Sequence, residues 1–167
     1  INPHRLHLGY LGLRFCDAKM QSIVPSQISN VAQTLDLWQG KITSKYTVVG
    51  TDVRVETMCH PNFDVIATKV KTPLINKKRV ELTLKFPFPT GGHADDASDW
   101  SMPDKHKSTI IAQNANQIII ERTIDTTVYY VRLAWEGKAT VSLSDAHTFV
   151  LKPKSDSVMV TCHYALY

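Results

Sequence analysis

The chain has no apolar run near the ~20 residues that a membrane-spanning helix needs, so none of its 167 residues is read as a helical span. Helical periodicity is almost missing too. The one stretch that invites a helix, Ser22 to Val31, has Pro25 near its start and no apolar face, and it reads as a loop or a single turn. Cysteine is scarce: Cys16, Cys59 and Cys162 make an odd number with no C-x-x-C spacing. At most one bridge can form, its pairing cannot be read, and Cys59 and Cys162 fall in strand-like runs where a free cysteine packs as a small buried hydrophobe. There is no G-x-S-x-G, H-E-x-x-H, P-loop or dinucleotide fingerprint. Low-complexity tracts and repeats are absent beyond a hairpin rhythm, and no charged n-region leads into an apolar h-region. The compartment stays open, with periplasm or exterior ahead of cytoplasm.

Charge of one sign is not concentrated anywhere. The net charge is +4, from 19 Lys and Arg against 15 Asp and Glu. Lys69 and Lys71 alternate along a strand, and Lys77-Lys78-Arg79 marks a turn. A nucleic-acid footprint gathers its cations on one face, so a solvated surface and no nucleic-acid partner are expected. With 43% apolar and 20% charged residues, the composition excludes wholesale disorder, and the length suits one globular domain over residues 1–167.

What is present is period-two alternation. Lys41 to Val49 is followed by Gly50-Thr51 as a turn, and then Asp52 to Cys59 alternates polar and apolar residues. Asp64 to Lys71 and Val80 to Phe86 continue the pattern, with apolar alternation carried on to Phe88. After a loop come Thr109 to Ala112, Gln117 to Thr123, Thr127 to Trp135, Ala139 to Leu143, His147 to Leu151 and Ser157 to Tyr164. Leu6, Leu8 and Tyr10 alternate as an opening strand would. Strands at ~10-residue spacing with turn signals between them predict an all-β, antiparallel sandwich of two packed sheets with hairpin connections.

The chemistry-bearing side chains gather in one loop. Pro89 and two glycines end a strand, and His93, Asp95, Asp96, Asp99 and Trp100 follow within eight residues. Loops of this kind on a rigid scaffold carry binding and catalysis. Imidazole and carboxylates could ligate a metal, but no recognised metal spacing is present, and aspartates also build turns. No metal and no cofactor are expected. Two acids this close could act as acid and base, although the sequence supplies no geometry for it. Trp100 offers a flat apolar face with a donor on its edge, suited to stacking on a sugar; equally, it could cover one end of the core. Trp38 and Trp135 each end a strand before a glycine turn and read as core or edge residues. His4 and Arg5 precede the first strand, either as a solvated terminus or beside the loop or a neighbouring domain. His60, His106, His147 and His163 have no paired spacing and read as surface or satisfied core histidines.

Four segments taken in order, Asn2-Pro3-His4-Arg5-Leu6-His7-Leu8-Gly9, Thr34-Leu35-Asp36-Leu37-Trp38-Gln39-Gly40, Cys59-His60-Pro61 and Phe86-Pro87-Phe88-Pro89-Thr90-Gly91-Gly92, resemble the N-terminal β-sandwich of bacterial six-hairpin glycosidases. The resemblance is to glycoside hydrolase family 65-like and family 95-like proteins. It implies a supersandwich of the galactose-mutarotase type, with the catalytic acids on a separate (α/α)6 barrel of the same polypeptide. It therefore implies no catalytic residue in this chain, and a fragment of a longer multidomain protein that degrades glycans. The His93 to Trp100 loop would be lent to the active-site rim, with His93, Asp95, Asp96, Asp99, Trp100, His4 and Arg5 as ligand-binding candidates. Two rivals remain: a free-standing carbohydrate-binding module with Trp100 and Trp38 as platforms, and a β-scaffold for protein contacts with a purely structural loop.

Overall fold

A computed structural model of the chain describes residues 6–90 and 96–166. Among the described residues twelve strands form: β1 (Tyr10–Phe15), β2 (Ile28–Asp36), β3 (Lys41–Val48), β4 (Thr51–Cys59), β5 (Val65–Lys71), β6 (Val80–Lys85), β7 (His106–Gln113), β8 (Gln117–Ile124), β9 (Thr127–Glu136), β10 (Ala139–Asp145), β11 (Thr148–Pro153) and β12 (Ser157–Ala165). They make a four-stranded sheet ordered β1-β6-β11-β10 and an eight-stranded sheet ordered β2-β3-β4-β5-β12-β9-β8-β7. Neighbours pair antiparallel throughout, so the expected all-β two-sheet architecture is the one found.

Alternation decides which side chains enter the space between the sheets, because successive strand residues point to opposite faces. From the large sheet come Ile118, Ile120 and Ile124 of β8, Tyr129, Val131, Leu133 and Trp135 of β9, and Val158, Val160 and Cys162 of β12. The small sheet answers in cross-strand rows: Leu11, Leu84 and Phe149 stand opposite one another, as do Leu13, Leu82 and Leu151. Each large aliphatic side chain so buried contributes about 1.5–3 kcal/mol.

Several details differ from the sequence reading. The opening strand starts at Tyr10, because Gly9 has φ +148 and lies so close to Phe86 that a Cβ would meet its ring at 2.8 Å. The strand expected to run to Phe88 stops at Lys85. Phe88 instead bridges Asp99 through two backbone hydrogen bonds of 3.0 and 2.7 Å, closing the loop between them. The 22–31 stretch holds a short 3-10 turn, Pro25–Gln27, that runs straight into β2. Cys59 is exposed whereas Cys162 is buried. The smaller sheet leaves the inner face of β2–β4 partly uncovered, so Leu35, Ile42 opposite it, and Cys59 all meet solvent. Trp135 is a core residue, but Trp38 is not: at 99% exposure it stands free on the turn between β2 and β3.

The β3–β4 hairpin turns one residue earlier than Gly50-Thr51. Val48 pairs with Thr51, so Val49 and Gly50 are the central residues, at φ 46 and 73. A two-residue turn with both φ values positive favours Asn-Gly, and a β-branched residue in the left-handed region is strained. Val49→Asn should therefore raise stability by about 1 kcal/mol, read as a higher urea midpoint with an unchanged slope.

Candidate functional site

The Phe88–Asp99 bridge sets Trp100 at the mouth of a cleft of about 340 Å3 lined by Lys85, Asp99, Trp100, His106, Asp145 and His147, among others. Trp100 is 53% exposed. Its indole leans on Tyr10, with ring centroids 5.6 Å apart, and Tyr10 stacks on His7 at 3.8 Å. The row is tied to the loop by the Tyr10 hydroxyl, which donates to Asp96 Oδ1 at 3.2 Å and lies 2.8 Å from Ser98 Oγ. His7 Nδ1 accepts the Gly9 N–H at 3.2 Å, which leaves its proton on Nε2. Burial lowers the His7 pKa, and the charge of Asp96 acts the other way.

Behind this surface lies a polar cluster with no counterpart in the sequence reading. Arg122, from β8, points into the sandwich and is fully buried. Its Nη2 donates to His106 Nδ1 at 2.6 Å, and its Nη1 donates to the Lys107 carbonyl at 2.9 Å and to Ser108 Oγ at 2.5 Å. Its Nε reaches the Tyr129 hydroxyl at 3.4 Å, and that hydroxyl donates to the Leu8 carbonyl at 3.1 Å. The guanidinium sits 4.6 Å above the Phe86 ring. Among the described residues no carboxylate lies within ion-pair distance of it. The aromatic face and the ring of acceptors take the place of a counter-ion.

Two histidines complete the cluster. His106 and His147 stack at 3.7 Å and are both nearly buried. The Pro103 carbonyl can only accept, so His147 donates from Nε2 at 2.7 Å, and its Nδ1 accepts from Ser108 Oγ at 2.8 Å. His106, accepting from Arg122, is neutral. Desolvation and then the Arg122 charge push its pKa down to about 4.

Of the sequence candidates, Asp96, Asp99 and Trp100 are brought to one surface, while His4, Arg5, His93 and Asp95 lie outside the described residues. Asp99 is turned inward on its own loop. Its Oδ1 accepts the Ser101 hydroxyl at 2.7 Å and the Ser101 N–H at 2.8 Å, and these bonds hold its carboxyl below the usual range. Both aspartates thus anchor the loop that presents the indole. No group of three or more His, Cys, Asp or Glu side chains among the described residues is placed to hold a metal. Tyr10, His7 and the Arg122 cluster were missed because their members come from strands far apart in the chain. The one local signal was the unexpected charge at Arg122 within the Ile118, Ile120, Ile124 alternation.

No family model matches the chain, and no curated protein matches it by sequence. A search of solved structures finds the chain described as "Putative kojibiose phosphorylase from human microbiome", with a TM-score of 0.57 and 9% sequence identity. The match covers 92% of this chain and 21% of that one, so this chain spans about a fifth of the solved protein's length. The likeness is one of fold: two packed antiparallel sheets, the all-β arrangement that the resemblance implied.

The neutral state of His106 has a consequence for acid stability. Its folded pKa lies below the ordinary 6.5, so the unfolded chain takes up the proton first. The contribution is complete above pH 6.5 and is lost as pH falls from there to about 4. His106→Gln, which keeps an acceptor for Arg122 but does not titrate, should flatten that part of the profile in urea unfolding at pH 7, 5.5 and 4.

Proposed function

We propose that this chain is a non-catalytic β-sandwich domain of a carbohydrate-active enzyme. In this reading it supports a separate helical-barrel catalytic domain of the same polypeptide and lends the Trp100 loop to the rim of that domain's active site. The observation that carries the reading is an apolar strip on an edge strand. Val31, Leu35, Leu37 and Trp38 are 69, 54, 83 and 99% exposed along β2 and its turn. Exposed apolar groups on an unpaired sheet edge mark a surface meant to be covered, and a catalytic domain is the occupant proposed. The fold likeness to about a fifth of a much longer phosphorylase chain agrees with that.

The site chemistry agrees as well. Glycoside hydrolysis uses two carboxyl groups flanking the bond, about 5–5.5 Å apart in retaining and about 6.5–9.5 Å apart in inverting enzymes. Asp96 and Asp99 are engaged by Tyr10 and Ser101, which suits presentation of an aromatic surface better than proton transfer. His7, Tyr10 and Trp100 would bind a glycan by stacking, with Asp96 fixing the Tyr10 ring.

The free-standing binding module is kept as a second reading because Trp38 stands fully free and offers another stacking platform. The two readings part on measurable ground. As part of a larger enzyme, the isolated chain releases no sugar from oligosaccharides, with or without phosphate, and calorimetric titration finds no sugar binding. In the full polypeptide, Trp100→Ala lowers kcat/KM about tenfold, by loss of roughly 1.4 kcal/mol of transition-state binding, while far-UV circular dichroism is unchanged. Millimolar sugar affinity in the isolated chain, abolished by Trp100→Ala, favours the binding module instead. A loss of about 3–5 kcal/mol in stability on that substitution would make the indole a core residue and sink both readings.

A further inference from the structure

The outer face of the large sheet carries a charge arrangement that folding alone does not favour. Lys45 of β3 lies directly opposite Arg54 of β4, and Arg54 lies directly opposite Lys71 of β5. Residues so paired stand side by side on one face, with Cα atoms about 4.5–5.5 Å apart, and like charges there repel. All three are exposed and line one cleft of about 450 Å3. Two carboxylates are near: Glu56 takes the Arg54 Nη2 at 3.0 Å, and Asp52, also in the cleft, is 3.5 Å from the Thr47 hydroxyl. Among the described residues neither Lys45 nor Lys71 has an ion-pair partner. The cations outnumber the carboxylates, and two of them are unspent.

From this row we infer that Lys45, Arg54 and Lys71 form a seat for a tetrahedral oxyanion, phosphate or sulfate, either free or carried on a sugar. Two ammonium groups supply mobile point charges on either side of a planar guanidinium fork, the combination that suits such an anion. Arg54 retains donors beyond the one engaged by Glu56. At the cleft wall Asn30 donates from Nδ2 to the Thr47 hydroxyl at 3.2 Å, which places polar groups beside the cations. A bound anion would relieve the repulsion along the row, so binding and folding should be coupled. The inference does not depend on the carbohydrate reading.

Calorimetric titration with inorganic phosphate and with sulfate, at ionic strength held constant with sodium chloride, tests it directly. Saturable binding is expected, weakened about tenfold by either Lys45→Gln or Lys71→Gln, a loss of one charged contact, and unchanged by Lys138→Gln on the exposed β9–β10 turn. A second signature is independent of any ligand. In low salt without phosphate, Lys45→Gln should unfold at a higher temperature than the parent chain, and the gap should close as salt screens the row. A sugar phosphate that binds more tightly than inorganic phosphate, with no binding of the parent sugar, identifies the sugar-borne anion; equal affinities identify the free ion. Equal affinity in the parent chain and both lysine variants overturns the seat, as does a response no larger than that to chloride. A Lys45→Gln protein no more stable than the parent in low salt overturns the repulsion on which the seat rests.

Discussion

A single buried cation joins the two sheets of this protein. Arg122 comes from the large sheet, yet its partners span the molecule: His106 and the Lys107–Ser108 segment on β7, Tyr129 on β9, and Phe86 just beyond β6 of the small sheet. His147, 3.4 Å from Nη1, adds the start of β11, and Tyr129 passes the connection on to Leu8 ahead of β1. A guanidinium taken out of water without a carboxylate is costly unless each donor finds an acceptor. Here the acceptors are two imidazole nitrogens, two hydroxyls and a carbonyl, and the electron-rich face of the Phe86 ring lies against the cation. Every one of those groups must be in register for the cation to be tolerated, so the cluster fixes how the sheets meet at this end of the sandwich.

That constraint reaches the surface through His147 and His106. The Pro103 carbonyl is held by His147, and His106 begins β7 directly after the short turn Pro103–Lys105. The segment between the Phe88–Asp99 bridge and β7 is thereby pinned at both ends, and Trp100 lies within it. On the other side Gly9, too close to Phe86 to carry a Cβ, lets the chain bring His7 and Tyr10 alongside the indole. The exposed aromatic row is thus the outer layer of a stack whose inner layer is Phe86, Arg122 and the two histidines. The loop aspartates hold the presentation in place, which is the physical reason to regard this surface as a platform and not as an acid–base pair.

Most of the strands were legible because they alternate with period two between turn residues, whereas β2 shows no such alternation and its first residues, Ile28 to Val31, read as loop or a single turn. β8 and β12 read almost residue by residue. How they divide between a four-stranded and an eight-stranded sheet was not legible, since local alternation does not say which strand pairs with which. The same blindness hid the Arg122 cluster: Leu8, Phe86, His106, Tyr129 and His147 meet only after twelve strands are placed. Whether Trp38 belongs to the core or to an edge was open for a related reason, because a tryptophan at a strand end is apolar whether or not the opposite sheet extends over it; the structure puts it in solvent on the turn of the edge strand β2. In the loop, Trp100 stands out in the sequence and its ring is half-exposed in the structure, while the roles of Asp96 and Asp99 as anchors required the positions of Tyr10 and Ser101.

If the buried guanidinium sets the meeting of the sheets, Arg122→Met should fill most of its volume and still leave His106 Nδ1, Ser108 Oγ and the Lys107 carbonyl without their donor. Hydrogen exchange, followed segment by segment in the parent and variant chains, tests this most directly. The predicted result is selective loss of protection at residues 99–108 and 147–149, with β12 and β5 little changed, together with a stability loss of about 1–3 kcal/mol from the acceptors left unsatisfied. Unchanged protection at the Pro103 turn and at the start of β11, in a variant as stable as the parent, would contradict the account and leave Arg122 a tolerated passenger in the core.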